Sequence, residues 1–293
     1  MAVYEISNGV ISILVESRGA ELKSLRTVEN EKEYFWQGDP EYWVRSSPIL
    51  FPITGGLNGG TYRLDGTEYE LPRHGFVKDK ECSLVSQREN EIWFCLEADE
   101  ETKAVYPYDF RLEIGYRLEG KSLQVLWRVN NCSEQTMYFS IGGHPGFLCN
   151  VQNNMKEDPC YLAFEGLDRI KSTIIEKDGL YGDRESIYEL EEERIPLVKD
   201  LFADDTLVLE DHQVRKVYLL TPEKKPFLSV SLDAPVLAIW SPVKETAPFI
   251  CIEPWYGICD RSGYQGSLED RKWTNQAAPG ECFSAGYTIT IEE

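Results

Sequence analysis

The sequence has no C-x-x-C pair, no His/Cys cluster at metal-ligand spacing and no apolar run near the length of a membrane span. Those absences argue against a zinc ribbon, a thioredoxin-type redox motif and a helical membrane anchor; no metal and no cofactor is expected. Eight cysteines are scattered along 293 residues. A chain of this size needs no covalent staples, so free thiols in a reducing cytoplasm are expected rather than a disulfide framework. The first twenty residues lack a basic segment followed by a long apolar core, since Glu5 and Glu16 bracket only short apolar runs. Basic residues are in the minority: 30 Lys and Arg against 50 Asp and Glu give a formal charge of −20. That balance disfavours nucleic acid and anionic membranes as partners, although a local cation can still hold one phosphate. Linkers, internal repeats and long helical periodicity are also missing, and a single domain spanning residues 1–293 is the simplest organisation.

What the chain does contain is alternation. Phe110, Leu112, Ile114 and Tyr116 alternate with Arg111, Glu113 and Gly115, and Leu123, Val125, Trp127 and Val129 follow the same rule. Leu228, Val230 and Leu232 alternate with serines, and Tyr287, Ile289 and Ile291 with threonines. A period of two marks strands with one covered face. Asn58-Gly59-Gly60, Asp65-Gly66 and Glu119-Gly120 supply turns between such runs. The expected fold is all-β, a large antiparallel β-sandwich, with the charged run Glu189–Arg194 as a solvated loop or short helix.

Histidine is rarer than any of these features, with three in the chain. His144 stands in Ser140-Ile141-Gly142-Gly143-His144-Pro145-Gly146-Phe147, where glycines allow a sharp bend and Pro145 fixes one φ angle. Such a bend suits a proton donor with an ordinary pKa of about 6.5; taken alone, it equally suits a buried histidine in a tight turn. The apolar run Phe249-Ile250-Cys251-Ile252 ends on Glu253, followed by Pro254, Trp255 and Tyr256. A carboxylate closing an apolar strand is costly unless paired or functional. Pro254 is expected to end the strand, and the neighbouring rings to hold the apolar face of a sugar while the acid bonds its hydroxyls. His74 lies in Leu71-Pro72-Arg73-His74-Gly75-Phe76, preceded by Ser47-Pro48-Ile49-Leu50-Phe51-Pro52-Ile53-Thr54-Gly55-Gly56. His212, among Glu210, Asp211 and Gln213, reads as a surface loop residue.

The segments P-I-L-F-P-I, H-G-F, G-G-H-P-G-F, A-I-W-S and C-I-E-P-W, in that order, resemble the aldose 1-epimerase (galactose mutarotase) family and its LacX-like branch. The resemblance runs from about residue 5 to the C-terminus. It implies a supersandwich fold and a cofactor-independent isomerase acting on a small-molecule sugar. It places the general acid on His144, the general base on Glu253, a substrate-binding histidine on His74 and a hydroxyl-binding aspartate on Asp205. Two departures concern the substrate: Gly56 is followed by Leu57 where members of the branch usually carry arginine, and Lys78 stands where arginine is frequent. Arg45 and Arg73 are nearby substitutes, and Trp255 and Trp240 are the tryptophans expected near the sugar.

The reaction needs only an acid and a base. Anomers interconvert when the anomeric hydroxyl loses a proton and the ring oxygen gains one; the ring opens, rotates about C1–C2 and recloses. Each proton transfer contributes about 10²–10⁴-fold. Their mutual attraction is expected to keep Glu253 ionised and His144 protonated at neutral pH. Two alternatives stay open: an epimerase of a phosphorylated hexose, and a non-catalytic carbohydrate-binding protein, for which a matched acid and base would serve no purpose.

Overall fold

The computed structural model describes residues 1–152, 155–176, 178–242 and 247–293. Its two large sheets are wholly antiparallel in their pairings. One has nine strands, and at its centre Cys282–Ile291, Ser122–Asn131, Phe110–Glu119 and Glu91–Glu97 lie side by side. The alternation read from sequence is the reason: Leu123, Val125, Trp127, Tyr287 and Ile289 point into the main core while Gln124, Arg128 and the threonines face out. Asp65 and Gly66 both have positive φ and close the tight hairpin between Thr61–Leu64 and Thr67–Glu70.

The other large sheet has eight strands and carries Glu253. Its strand Phe249–Tyr256 pairs along its length with Val236–Trp240. Period two divides these two strands between faces. Ile250, Ile252, Leu237 and Ile239 belong to the main core. Cys251, Glu253 and Trp255 face the opposite side, across from Trp240, Ala238 and Val236 respectively. Both faces are covered, which is why the segment reads as a continuous apolar run rather than an alternating one. Ala238 is small, and as Glu253's cross-strand neighbour it adds little bulk beside the carboxyl.

Pro254 does not end the strand. On its second edge Phe249–Tyr256 is flanked by two short strands, Gly146–Leu148 along residues 249–251 and Ile141–Gly143 along residues 255–256. Between them the chain bulges at His144 and Pro145. The Ile252 amide donates across that gap to the Pro145 carbonyl at 3.2 Å. Two residues on, the N–H that Pro254 lacks falls where no ladder partner exists, so the proline is tolerated inside the sheet.

The charged run at Glu189–Arg194 forms a turn between Tyr181–Glu189 and Arg194–Pro196, with positive φ at Glu192 and Glu193. One α-helix, Glu100–Val105, occurs among the described residues, and Asp99 and Thr102 close a capping box on its first turn. No helix there is long and apolar enough to cross a membrane. The eight cysteines carry no disulfide.

Candidate active site

His144 occupies the bulge opposite Glu253, and its Nε2 lies 3.3 Å from the Glu253 Oε2. The approach depends on glycine. A Cβ on Gly142 would lie 2.8 Å from the Trp255 Cδ1, and one on Gly143 would lie 2.8 Å from the Tyr287 hydroxyl. The two groups are close without the alignment of a hydrogen bond, so Oε2 has no partner, and neither does the His144 Nδ1. Ser46 Oγ, Thr54 Oγ1, Trp255 Nε1 and Tyr287 OH, in or directly behind the same region, are likewise buried and unpartnered. Native interiors rarely tolerate such atoms singly; a cluster of them marks a place prepared for polar ligand or solvent.

The pair opens onto a cavity of about 370 Å³, which His74, Asp205, Arg45 and Trp255 also line. His74 is set there by strain: it holds φ +66°, a left-handed conformation uncommon for residues other than glycine. Gly75 follows at φ +68°, so close to the preceding strand that a Cβ would fall 2.1 Å from the Phe51 carbonyl oxygen. The Gly55 amide donates to the His74 Nδ1 at 3.1 Å, which puts the proton of the neutral ring on Nε2. The two imidazoles meet edge to face with centroids 5.5 Å apart.

Burial decides the charge of the pair, and against the sequence-based expectation. Glu253 is 1 % exposed and His144 8 %. Desolvation pushes the Glu253 carboxyl well above its ordinary range, with Asp205 adding to the rise and the Trp255 indole opposing it. Desolvation likewise pushes His144 down to about 3. Burial therefore favours a carboxylic acid beside a neutral imidazole over an ion pair, because removing two charges from water costs more than their attraction at 3.3 Å returns. His74 is also held well below its usual value, by desolvation first and then by His144, Arg73 and Lys78.

Other expectations need correction. Tyr256 points away from Glu253, meeting Trp127 and Phe283 edge-on on the core side. Trp255 lines the cavity but is only 5 % exposed, which leaves it little open face for a sugar. The half-buried rings at the cavity are Trp240, as anticipated, and Trp43, which the motifs did not reveal. Trp43 comes from a loop about a hundred residues before His144, and a lone tryptophan between Tyr42 and Val44 carries no pattern that points to a site. Arg45 reaches the cavity wall, but its guanidinium is held by Glu21, Asp79 and the Lys78 carbonyl. Glu21, buried, also accepts from the Ser46 and Ser47 amides and anchors that loop. Lys78 ties the His74 turn by donating to the Arg73 and Gly75 carbonyls. Leu57 packs in the main core. Arg73 instead extends past Gly56 to Gly179, where a Cβ would meet its Nη2 at 1.9 Å. His212 is exposed, edge-on to Trp273.

A large two-sheet antiparallel fold with a histidine and a glutamate converging on a concave face defines a galactose mutarotase-like protein. The chain belongs to the aldose 1-epimerase family, whose sequence pattern matches residues 2–262. It is 32% identical over 299 residues to the chromosomal LacX protein of Lactococcus lactis subsp. lactis, covering 98% of both chains. Among solved structures it superposes on a galactose mutarotase related enzyme from Lactobacillus acidophilus with a TM-score of 0.91 and 35% identity, covering 100% of this chain and 98% of that one. A galactose mutarotase-like protein from Lactobacillus casei gives a TM-score of 0.91 at 28% identity, covering 99% of this chain and 100% of that one.

Proposed function

We propose that the protein interconverts the α and β anomers of an aldohexose by acid/base ring opening, with Glu253 as the base at the anomeric hydroxyl and His144 as the acid at the ring oxygen. The observation that carries this reading is the Glu253–His144 pair itself, 3.3 Å apart, buried, and unsatisfied on the carboxyl Oε2 that faces the imidazole. Such a pair shares one proton. As carboxylate and imidazolium it is ready to open the ring: the O1 proton passes to Glu253 and the His144 proton to O5. That leaves carboxylic acid and neutral imidazole, the form burial favours, and reclosure runs the transfers backwards. A sugar hydroxyl donating to Glu253 stabilises its ionised form on binding. His74, with its Nε2–H available, supports the ring oxygen beside His144. Asp205 takes sugar hydroxyls, and Trp43 and Trp240 supply the apolar walls. No step calls on a metal or an organic cofactor, and the setting is the cytoplasm.

A free aldohexose, glucose or galactose, is the first substrate class. Arg73 favours a second reading, a 6-phosphorylated hexose, because among the described residues its guanidinium has no carboxylate partner although it lies in the cavity wall of a strongly acidic chain. Freshly dissolved α-anomers, free and 6-phosphorylated, followed by polarimetry or proton NMR, test both. Faster anomer exchange than the buffer blank with at least one sugar supports the proposal. Blank rates across the panel, with sugar binding retained, turn the assignment to a carbohydrate-binding protein.

A further inference from the structure

We infer that the acid/base pair doubles as part of an inhibitory site for a thiophilic divalent cation such as Zn²⁺ or Cd²⁺, completed by Cys251. The ligand atoms of His144, Cys251 and Glu253 all lie within 4.8 Å of one another and all three residues are buried. Strand geometry explains the convergence. Cys251 and Glu253 are two residues apart and project from the same face of Phe249–Tyr256, while His144 leans over that face from the bulge. One imidazole nitrogen, one thiolate sulfur and one carboxylate oxygen form a donor set suited to zinc. Metal–ligand bonds of about 2.0–2.3 Å at tetrahedral angles place donors roughly 3.4–3.8 Å apart. The His144–Glu253 separation of 3.3 Å is already there, and from a distance of at most 4.8 Å the sulfur needs to close by no more than about 1.0–1.4 Å.

Charge supplies the second argument. Each anion alone is disfavoured in this interior, but a 2+ ion with one thiolate, one carboxylate and a neutral imidazole sums to zero. Binding releases the thiol and carboxyl protons to solvent as the metal–sulfur and metal–oxygen bonds form. The cavity provides the fourth position for water or a sugar hydroxyl. A metal so held engages the lone pairs that ring opening requires, so it blocks turnover.

The test is titration of the reduced protein with CdCl₂, following the ultraviolet thiolate-to-cadmium charge-transfer band, in parallel with ZnCl₂ titration by calorimetry. One equivalent binds; Cys251→Ala abolishes the band and weakens zinc binding at least about 100-fold, while Cys160→Ser, which alters the separate Cys149–Cys160 thiol contact, keeps both. Near-ultraviolet circular dichroism identical to wild type establishes that Cys251→Ala is folded; if it is not, Cys251→Ser takes its place. Because the activity arm rests on the mutarotase reading, it is scored separately: Zn²⁺ inhibits wild-type anomer exchange, and Cys251→Ala, referenced to its own metal-free rate, resists it. A band that survives in Cys251→Ala, or equal zinc affinity in the two proteins, overturns the site. A Cys251-dependent band in a protein with no anomer exchange leaves the site standing and overturns the proposed activity.

Discussion

Trp43 lies against His144 with ring centroids 4.7 Å apart and planes 28° from parallel. The same indole stacks on Phe249 from a loop that Glu21 anchors through the Ser46 and Ser47 amides. Part of the desolvation that lowers His144 is therefore contributed by a side chain the motifs did not single out. Trp43→Ala should admit water to the imidazole and raise its pKa towards 6.5. The acid limb of kcat/KM then moves to higher pH, and loss of the ring contact lowers kcat/KM at neutral pH about 2- to 10-fold. An unchanged pH profile would show that Trp43 does not set the state of His144.

Glu253→Gln keeps the shape of the side chain and removes the proposed base. Turnover should fall about 10²–10⁴-fold, with a much smaller change in sugar affinity, and His144→Asn should act similarly. His212→Asn should stay near wild type. If Glu253→Gln turned over normally while correctly folded, Asp205 would become the candidate base.

Burial also makes stability depend on pH through this pair. His144 has a pKa of about 3 in the native protein against 6.5 for the ordinary group. Below pH 6.5 the unfolded chain binds a proton the native one refuses, so the contribution of His144 is complete above 6.5 and is lost as pH falls towards 3. The slope is at most about 1.4 kcal/mol per pH unit. Glu253 acts in the opposite sense, its contribution complete below pH 4.5 and lost as pH rises through its elevated native pKa. The melting temperature of His144→Asn should therefore gain on wild type as pH is lowered from 7 to 4. Parallel curves for the two proteins would refute the lowered His144 pKa.

Activity should follow the one-proton form of the pair, its limbs reporting macroscopic values for both groups together. The acid limb, where His144 takes a second proton, lies below 6.5, and the alkaline limb, where the pair loses its last proton, lies above 4.5. An acid limb at or above 6.5 in wild-type kcat/KM would contradict the neutral pair.

Gly75→Ala combines an unfavourable left-handed φ with a Cβ 2.1 Å from a backbone oxygen. A loss of about 2–5 kcal/mol in denaturant unfolding is expected. Stability within 1 kcal/mol of wild type would show that the His74 turn can relax.

Arg73→Ala separates the two substrate classes. If the hexose is phosphorylated, KM for the 6-phosphate rises while the rate for any free sugar is retained. Equal KM values with and without the arginine would remove it from substrate recognition.

Strands were legible because alternation is local: Leu123 through Val129 announces its covered face without reference to any other segment. His144, Glu253 and His74 were legible as unusual residues in constrained settings, and the order of the motifs identified the family. Their charge was not, because ionisation depends on how much water the rest of the chain excludes, and that exclusion comes from distant residues such as Trp43. Pro254 was misread as a strand end for the same reason: its tolerance depends on a gap between two other strands. Cys251 looked like one more apolar residue until the sheet turned it to the same side as Glu253. The chain's own pattern thus determined the β architecture, the family and the excess of acidic residues. Tertiary structure alone decided which groups meet, which cations are already engaged and which protonation state is stable, because distance and desolvation are properties of packing between segments remote in sequence.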